Sequence, residues 1–571
     1  MNNRIGERGL MSSAPRLNHW LAKLFFLVIP VAILFGAIAY GGWYGNLFFS
    51  VNSDAQIYPY LFHHLSAHDF IIPGNHSLFL KWPLFFLQAS LPFNFLTFTT
   101  VNIGLFLATI AGWAALLIYL FGRRYLGLIC LLLSALTVTS VAFPDNMVET
   151  TIRNIEYPIA LAFVLLVHNI LKGAHWGRLR IVLAAILSIL FTAAVAGDSL
   201  LLAAFVVPVL LSIFLYWFQS GRWNRRLTTA LSLVTGVALV SFGARSFTEW
   251  TGFVSLYFDP SFKNTIQPID QFGPSVAHAL SDLLTLYGAN IFGRDIAVHN
   301  AIYFVNFAVL MLGLVGLFVA MIRVIKRYRS ETASIVASQS FIMLTLGLSF
   351  ITTFFSYALS GLVLHRTATD SFVSAENRRY LTLLPLLAII GILYLVQLHG
   401  KKSHLRRIAS VSTGIIFLAL IVSSHSIRVE HHQQAIAVAA QHQTFDAIIK
   451  VAEENHANLV VGGYTDSINS RFWSHDKLFS ISVSNCNYAQ PGFNTRYSWY
   501  TNHHVAVSAI VVDRAGFDES YWASCSDDRI ESIYGIPAKK IPIANGSAPS
   551  TMTVWVYNYD VRQKIINVVV R

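Results

Sequence analysis

The chain has 571 residues, 55% of them hydrophobic and only 12% charged, with a mean hydropathy of +0.56. A soluble chain of that length needs a larger polar share to cover its surface, so an ordinary water-soluble enzyme is excluded. The formal charge of +12 lies mostly in short links between apolar runs, which makes it a topology signal and not a nucleic-acid footprint.

Apolar runs of spanning length fall near 20–44, 95–121, 125–142, 157–171, 181–197, 200–218, 227–244, 300–322, 335–360, 381–398 and 408–424. They predict about eleven transmembrane helices. The first run is too long for the core of a cleavable leader and reads as a span. Gly197-Asp198-Ser199 is a tight turn between the fifth and sixth runs, and Asp198 or Ser199 is expected to cap the helix that follows. Basic residues fill every second link: Arg4, Arg8 and Arg16; then Arg123 and Arg124; then Lys172, Arg178 and Arg180. Arg222, Arg225 and Arg226 follow, then Arg323, Lys326, Arg327 and Arg329, and finally Lys401, Lys402, Arg406 and Arg407. The positive-inside bias predicts a cytoplasmic N-terminus, and an odd number of spans then puts residues 425–571 outside. The expected fold class is an α-helical polytopic membrane protein over residues 1–424, followed by a small extracytoplasmic α/β domain. Long outer segments at 45–94, 245–299 and 361–380 are where function is expected.

The first outer segment carries Ser53-Asp54-Ala55-Gln56, then Asp69-Phe70-Ile71-Ile72-Pro73, then Lys81-Trp82-Pro83-Leu84. Asp54 follows the first span closely, and the stretch after it mixes aromatics and histidines as an interfacial helix would. Lys81 stands in an apolar run, where an ammonium needs an anionic partner or an escape to the headgroups. This order of features resembles the GT-C superfamily of membrane glycosyltransferases, and is closest to protein O-mannosyltransferases and to the transferases that add aminoarabinose to lipid A. Asp54 matches the acid early in the first outer loop of those families, and 69–73 matches their middle phrase. Lys81-Trp82-Pro83-Leu84 matches their lysine motif, with Trp82 in place of the usual proline. The close match covers about forty residues of the chain. The resemblance implies a GT-C-like fold and an inverting transfer of a sugar from a polyprenyl-phosphate donor to a glycan, lipid or protein acceptor outside the cytoplasm. Asp54 would be the general base that takes the acceptor's proton. Lys81 would hold the departing phosphate. The plainer readings are a helix cap for Asp54 and a snorkelling anchor for Lys81.

Two further groups of charges lie on the predicted outer side. Glu149, Arg153 and Glu156 have the spacing of one helical face, and GT-C enzymes often place a second acid in this loop. The three could bind a metal, position the acceptor or form a structural ion pair, the last being the default. Arg378 and Arg379 stand at the mouth of the tenth span with Glu376 and Tyr380. Outer-side arginines run against the basic-inside trend, so at least one is read as a phosphate ligand; Arg245 and Arg366 are weaker candidates of the same kind. The adjacent histidine pairs point in different directions, and no supported HxxxH is present. No cofactor is therefore required, and a divalent cation is unsupported.

After 424 the sequence reads as a helix over His431–Asn458, with strands at Leu459-Val460-Val461-Gly462-Gly463, Val505–Val512 and Met552–Tyr559. Cys486 and Cys525 could form a disulfide or stay as buried thiols; Cys130 is a packing residue. Trp473, Trp499, Tyr500 and Trp522 could stack on an acceptor glycan or simply fill the core. Two other functions stay open: a transporter or flippase of lipid-linked intermediates, and a GT-C-like protein that assembles or binds without catalysis.

Overall fold

A computed structural model of the chain describes residues 28–49, 53–62, 70–73, 78–92, 94–140, 142–148, 153–173, 177–220, 223–252, 254–257, 266, 268–330, 340–360, 378–399, 403–483, 495–496, 498–501, 504–513, 526–545 and 548–564. Glu149, Arg366, Cys486, Cys525 and Trp522 lie outside the described residues.

The chain is predominantly helical. In order come α1 (Ile29–Phe49), α2 (Ser53–Phe62), strand β1 (Phe70–Pro73), a 3-10 turn (Phe79–Lys81), α3 (Trp82–Ala89), α4 (Phe95–Phe121), α5 (Leu126–Thr139), α6 (Ala142–Val148), α7 (Glu156–Lys172) and α8 (Arg178–Gly197). A π-turn (Leu202–Val206) leads into α9 (Val207–Ser220), then α10 (Arg225–Trp250), β2 (Val254–Tyr257), α11 (Phe272–Leu286), α12 (Ala301–Ser330), α13 (Ser340–Ala358), a 3-10 turn (Arg378–Leu381), α14 (Leu383–His399) and α15 (Ser403–Glu454). Among the described residues, six helices are long and apolar enough to cross a membrane: Phe95–Phe121, Arg178–Gly197, Arg225–Trp250, Val298–Lys326, Ser340–Ala358 and Arg379–Leu398. In lipid every backbone polar group must find its partner within the chain, and uninterrupted helices meet that demand. A helix lies at each of the apolar runs read from the sequence, but α5 and α7, with 14 and 17 residues, are short for a crossing.

Sequence sets the helix ends. Asn94 caps α4 by accepting from the Thr97 amide at 2.8 Å, and Asn224 caps α10 through the Leu227 amide at 2.9 Å. The α12–α14 contact is a close backbone approach. A Cβ on Gly391 would lie 1.9 Å from the Gly313 carbonyl oxygen, and one on Gly316 would lie 2.1 Å from that of Gly391. Small residues at a helix crossing let dispersion contacts replace the hydrophobic drive that lipid cannot supply.

Helix α15 is continuous through residue 425, joining the last apolar run to the helix read over 431–458. Beyond it come β3 (Leu459–Gly462), α16 (Tyr464–Trp473), β4 (Phe479–Ser482), β5 (Thr495–Arg496), the short turn α17 (Ser498–Thr501), β6 (Ser508–Asp513), α18 (Asp527–Tyr534), β7 (Lys539–Asn545) and β8 (Ala548–Tyr557). Five of these strands form one sheet in the order β4-β3-β6-β8-β7. β3 runs parallel to β4 and β6, and β8 runs antiparallel to β6 and β7. The parallel β3–β4 pair needs a crossover, and α16 supplies it. β3 and β4 are buried at every position, as parallel strands covered on both faces are.

A second sheet has the order β2-β1-β5. Its strands come from the segment after α2, the segment after α10 and the C-terminal region. The phrase Phe70–Pro73, read from sequence as a motif, is its central strand.

The stretch after Asp54 departs from the interfacial helix expected there. Ile57, Tyr58, Tyr60, Leu61 and Phe62 of α2 are buried in one core with Leu459, Ile468, Phe472 and Ile481. The reason is the C-terminal sheet and α16, which cover the apolar face that would otherwise need lipid. Arg471 of α16 lies 4.4 Å from the Tyr60 ring and donates to Asp476 at 2.7 Å. Trp499 is 5% exposed and packs edge-on to Phe479, so it is a core residue.

Candidate functional site

Charged groups converge where the segment after β1 meets the ends of α7, α8 and α14. The convergence begins at a glycine. Gly197 ends α8, its carbonyl accepts from the Leu78 amide at 3.2 Å, and a Cβ there would sit 2.5 Å from the Phe79 nitrogen. That close approach lays the Phe79–Lys81 turn directly across the end of α8. Leu78 takes a left-handed conformation, φ 54° and ψ 38°, which is uncommon for a bulky side chain and costs about 1–3 kcal/mol. The strain turns the chain so that Lys81 points inward.

Lys81 is 2% exposed, so it is no snorkelling anchor. Its Nζ lies 3.2 Å from Glu156 Oε1, and the two side chains are almost wholly buried. Burial drives the Lys81 ammonium below the ordinary lysine range; the Glu156 carboxylate opposes that fall, and Arg153 adds to it. Glu156 Oε2 also accepts from the Asn154 amide at 3.1 Å.

Arg153 pairs with Asp198 rather than with Glu156. Its guanidinium lies 4.5 Å from the Tyr380 ring, and Arg379 lies 5.6 Å from the same ring. Arg153 is 2% exposed, and its Nη1 finds no hydrogen-bond acceptor among the described residues. Asp198 Oδ1 accepts from the Leu200 amide at 2.9 Å, a turn bond between the two helices, while the π-turn that follows has Leu201 at its N-cap and no side-chain cap; the Asp198 carboxylate serves the arginine as well. Tyr157 and Thr382 join hydroxyls at 3.2 Å, tying α7 to the start of α14. Tyr380 stacks on Tyr357, whose hydroxyl donates to Asp282 of α11 at 2.9 Å.

The spacing of Glu149, Arg153 and Glu156 predicts one helical face. The helix is interrupted instead: residues 153–155 form a turn, and α7 starts at Glu156. Asn154 and Pro158 account for the α7 end of the break. The Asn154 side chain donates to Met147 O at 3.3 Å and accepts from the Ile155 amide at 2.7 Å, turn bonds that compete with a helix. Pro158 has no amide to give and fits the first turn of α7. The break lets Arg153 and Glu156 reach different partners.

Arg153 and Arg379 thus meet at Tyr380, and Lys81, paired with Glu156, lies within electrostatic reach of Arg153 and Asp198. Asp54 lies in the first turn of α2, and Arg378 opens the turn before α14. Asp198 is the member that the sequence reading used only as a cap. Its clue was a lone acid at a tight turn beside an outer span end. Arg245 is half-buried and feels Asp198 and Glu249. Among the described residues, no group of three or more histidine, cysteine or acidic side chains is gathered as a metal site. Comparison of the chain with family models, with curated proteins and with solved structures finds no match in any of the three.

Proposed function

We propose that the chain is a membrane glycosyltransferase of the GT-C type, moving a sugar from a polyprenyl-phosphate donor to an acceptor hydroxyl outside the cytoplasm. The observation that carries this reading is the buried Arg153, whose Nη1 lacks an acceptor among the described residues, beside a buried lysine. A buried guanidinium N–H without a partner is costly, and a phosphate oxygen would supply one. Lys81, Arg153, Arg378 and Arg379 are the donor-phosphate ligands in this reading. Glu156 opposes the fall that burial imposes on the Lys81 ammonium, and Glu149 is the second acid of the same loop.

The chemistry follows. The acceptor oxygen attacks the anomeric carbon from the face opposite the phosphate, and the bond from that carbon to the phosphate oxygen breaks. The polyprenyl phosphate leaves with the electron pair, its growing charge met by the cations. The acceptor's proton passes to Asp54, and configuration at the anomeric carbon inverts.

The test uses the full chain in lipid nanodiscs, supplied with a panel of polyprenyl-phosphate sugars and candidate acceptors. Asp54→Asn is expected to keep donor binding and to lose at least about 100-fold in transfer rate. Arg153→Gln is expected to weaken binding of the polyprenyl phosphate itself. A wild-type rate in Asp54→Asn removes that residue from the mechanism. Donor binding without turnover in the unaltered chain favours the non-catalytic assembly protein, and movement of the intact donor between leaflets favours the flippase.

A further inference from the structure

The segment between α10 and α12 carries large apolar side chains that the protein leaves uncovered. Ile269 is 94% and Ile296 93% exposed, with Ile266, Phe272, Phe292 and Val298 also exposed. Single exposed apolar residues are ordinary, but a series of this size on one short segment marks a contact surface. α11 divides cleanly: Ser275, Ala279, Asp282, Leu283 and Leu286 face the protein, while Phe272 and Leu280 face away.

Chain connectivity decides what covers it. The segment leaves α10 at Trp250 and enters the next span at Val298. Ile266 forms a backbone bridge to Ser360, just beyond the end of α13. Because α12 and α13 run in opposite directions, Val298 and Ser360 belong to the same side of the bundle. The exposed series is therefore held at the level where spans end, and Phe247 and Trp250, at the end of α10 from which the segment leaves, are exposed as well. A patch fixed at that height and joined to a lipid-facing helix meets the boundary between headgroups and acyl chains.

We infer that residues 266–298 form a membrane-interface shelf, with Ile269, Phe272, Phe292 and Ile296 inserted into one leaflet of the bilayer. Asp270 and Asp295, both exposed, stay at headgroup level. The buried side of the shelf runs through Asp282, Tyr357 and Tyr380 to Arg153, so bilayer depth and the charged cluster share one frame. This contact with the bilayer holds whether or not the cluster transfers a sugar.

The unaltered chain, reconstituted in phosphatidylcholine vesicles containing a lipid with a diazirine high on its acyl chain, provides the test. After illumination, peptides covering 269–272 and 292–298 are expected to carry lipid adducts, as the span Phe95–Phe121 does, while the strand Lys539–Asn545 carries none. Ile269→Asp combined with Ile296→Asp should cut labelling of the two shelf peptides severalfold without changing that of the span. Labelled spans with unlabelled shelf peptides overturn the inference, as does crosslinking of those peptides to a second copy of the chain in place of lipid.

Discussion

At the residue scale the candidate site is an exchange of partners between distant parts of the chain. Lys81 with Glu156 and Arg153 with Asp198 put four charges where water does not reach. Removing charges from water costs several kcal/mol per ion, and the attraction within a pair offsets this only while both members remain. Lys81→Met should therefore destabilise the chain by about 3–5 kcal/mol, because Glu156 loses its buried partner. Combining Lys81→Met with Glu156→Leu should cost about 1–3 kcal/mol less than the sum of the single changes. Denaturation of the four proteins of this cycle in one detergent measures the coupling; strict additivity would mean that the two groups do not act as a pair. The sequence made the types of these residues legible, since a lysine in an apolar run needs a partner. It could not name the partner. Glu156 lies far along the chain, and the close approach at Gly197 lays the Lys81 turn across the end of α8, beside the Arg153–Asp198 pair.

At the scale of elements, hydropathy carries most of the information about helices. Phe95–Phe121 coincides with the run read from sequence, because composition alone decides where a lipid-exposed helix can begin and end. The break between α6 and α7 was harder to read. Charge spacing there fits a helix, and the turn bonds of Asn154 overrule it. The three-stranded sheet was invisible for another reason: strands of two to four residues have too few positions to show alternation. Helix α15 yields a prediction of its own. His431 is buried past the apolar run ending at 424, stacked 3.7 Å from the Tyr44 ring and hydrogen-bonded to Tyr40 of α1. Burial lowers its pKa from 6.5 to about 4. The folded chain thus keeps His431 neutral where the unfolded chain protonates it. Its contribution to stability is complete above pH 6.5 and is lost as pH falls from there towards 4, at about 1.4 kcal/mol per pH unit. Arg428, Glu430 and the Arg294 that pairs with Glu430 at 3.0 Å lie on the neighbouring turn and segment. None of the three removes that burial. Melting temperatures at pH 7 and pH 5 should differ more for the unaltered chain than for His431→Gln; equal differences would mean that another group governs the acid loss.

At the scale of the whole molecule, the small sheet β2-β1-β5 constrains how the chain can lie in a membrane. Backbone pairing of Phe70 with Val254 and Arg496 requires the segment after α2, the segment after α10 and the C-terminal region to share one side of the bundle. The clusters at Arg323 and Lys326, at the far end of α12, then belong to the other side. Basic residues remain preferentially in the cytoplasm, so the side bearing the sheet and the charged cluster is predicted to be extracytoplasmic. This orientation is the one a donor with its sugar outside would need. Single cysteines at Glu531 and at Lys326, introduced in turn and compared with the parent chain, test it directly in intact cells. An impermeant maleimide should modify position 531 without lysis and position 326 only after lysis. The reverse pattern would place the cluster in the cytoplasm, where a lipid-linked sugar presented outside could not reach it, and the proposed reaction would then lose its donor even with every ion pair in place.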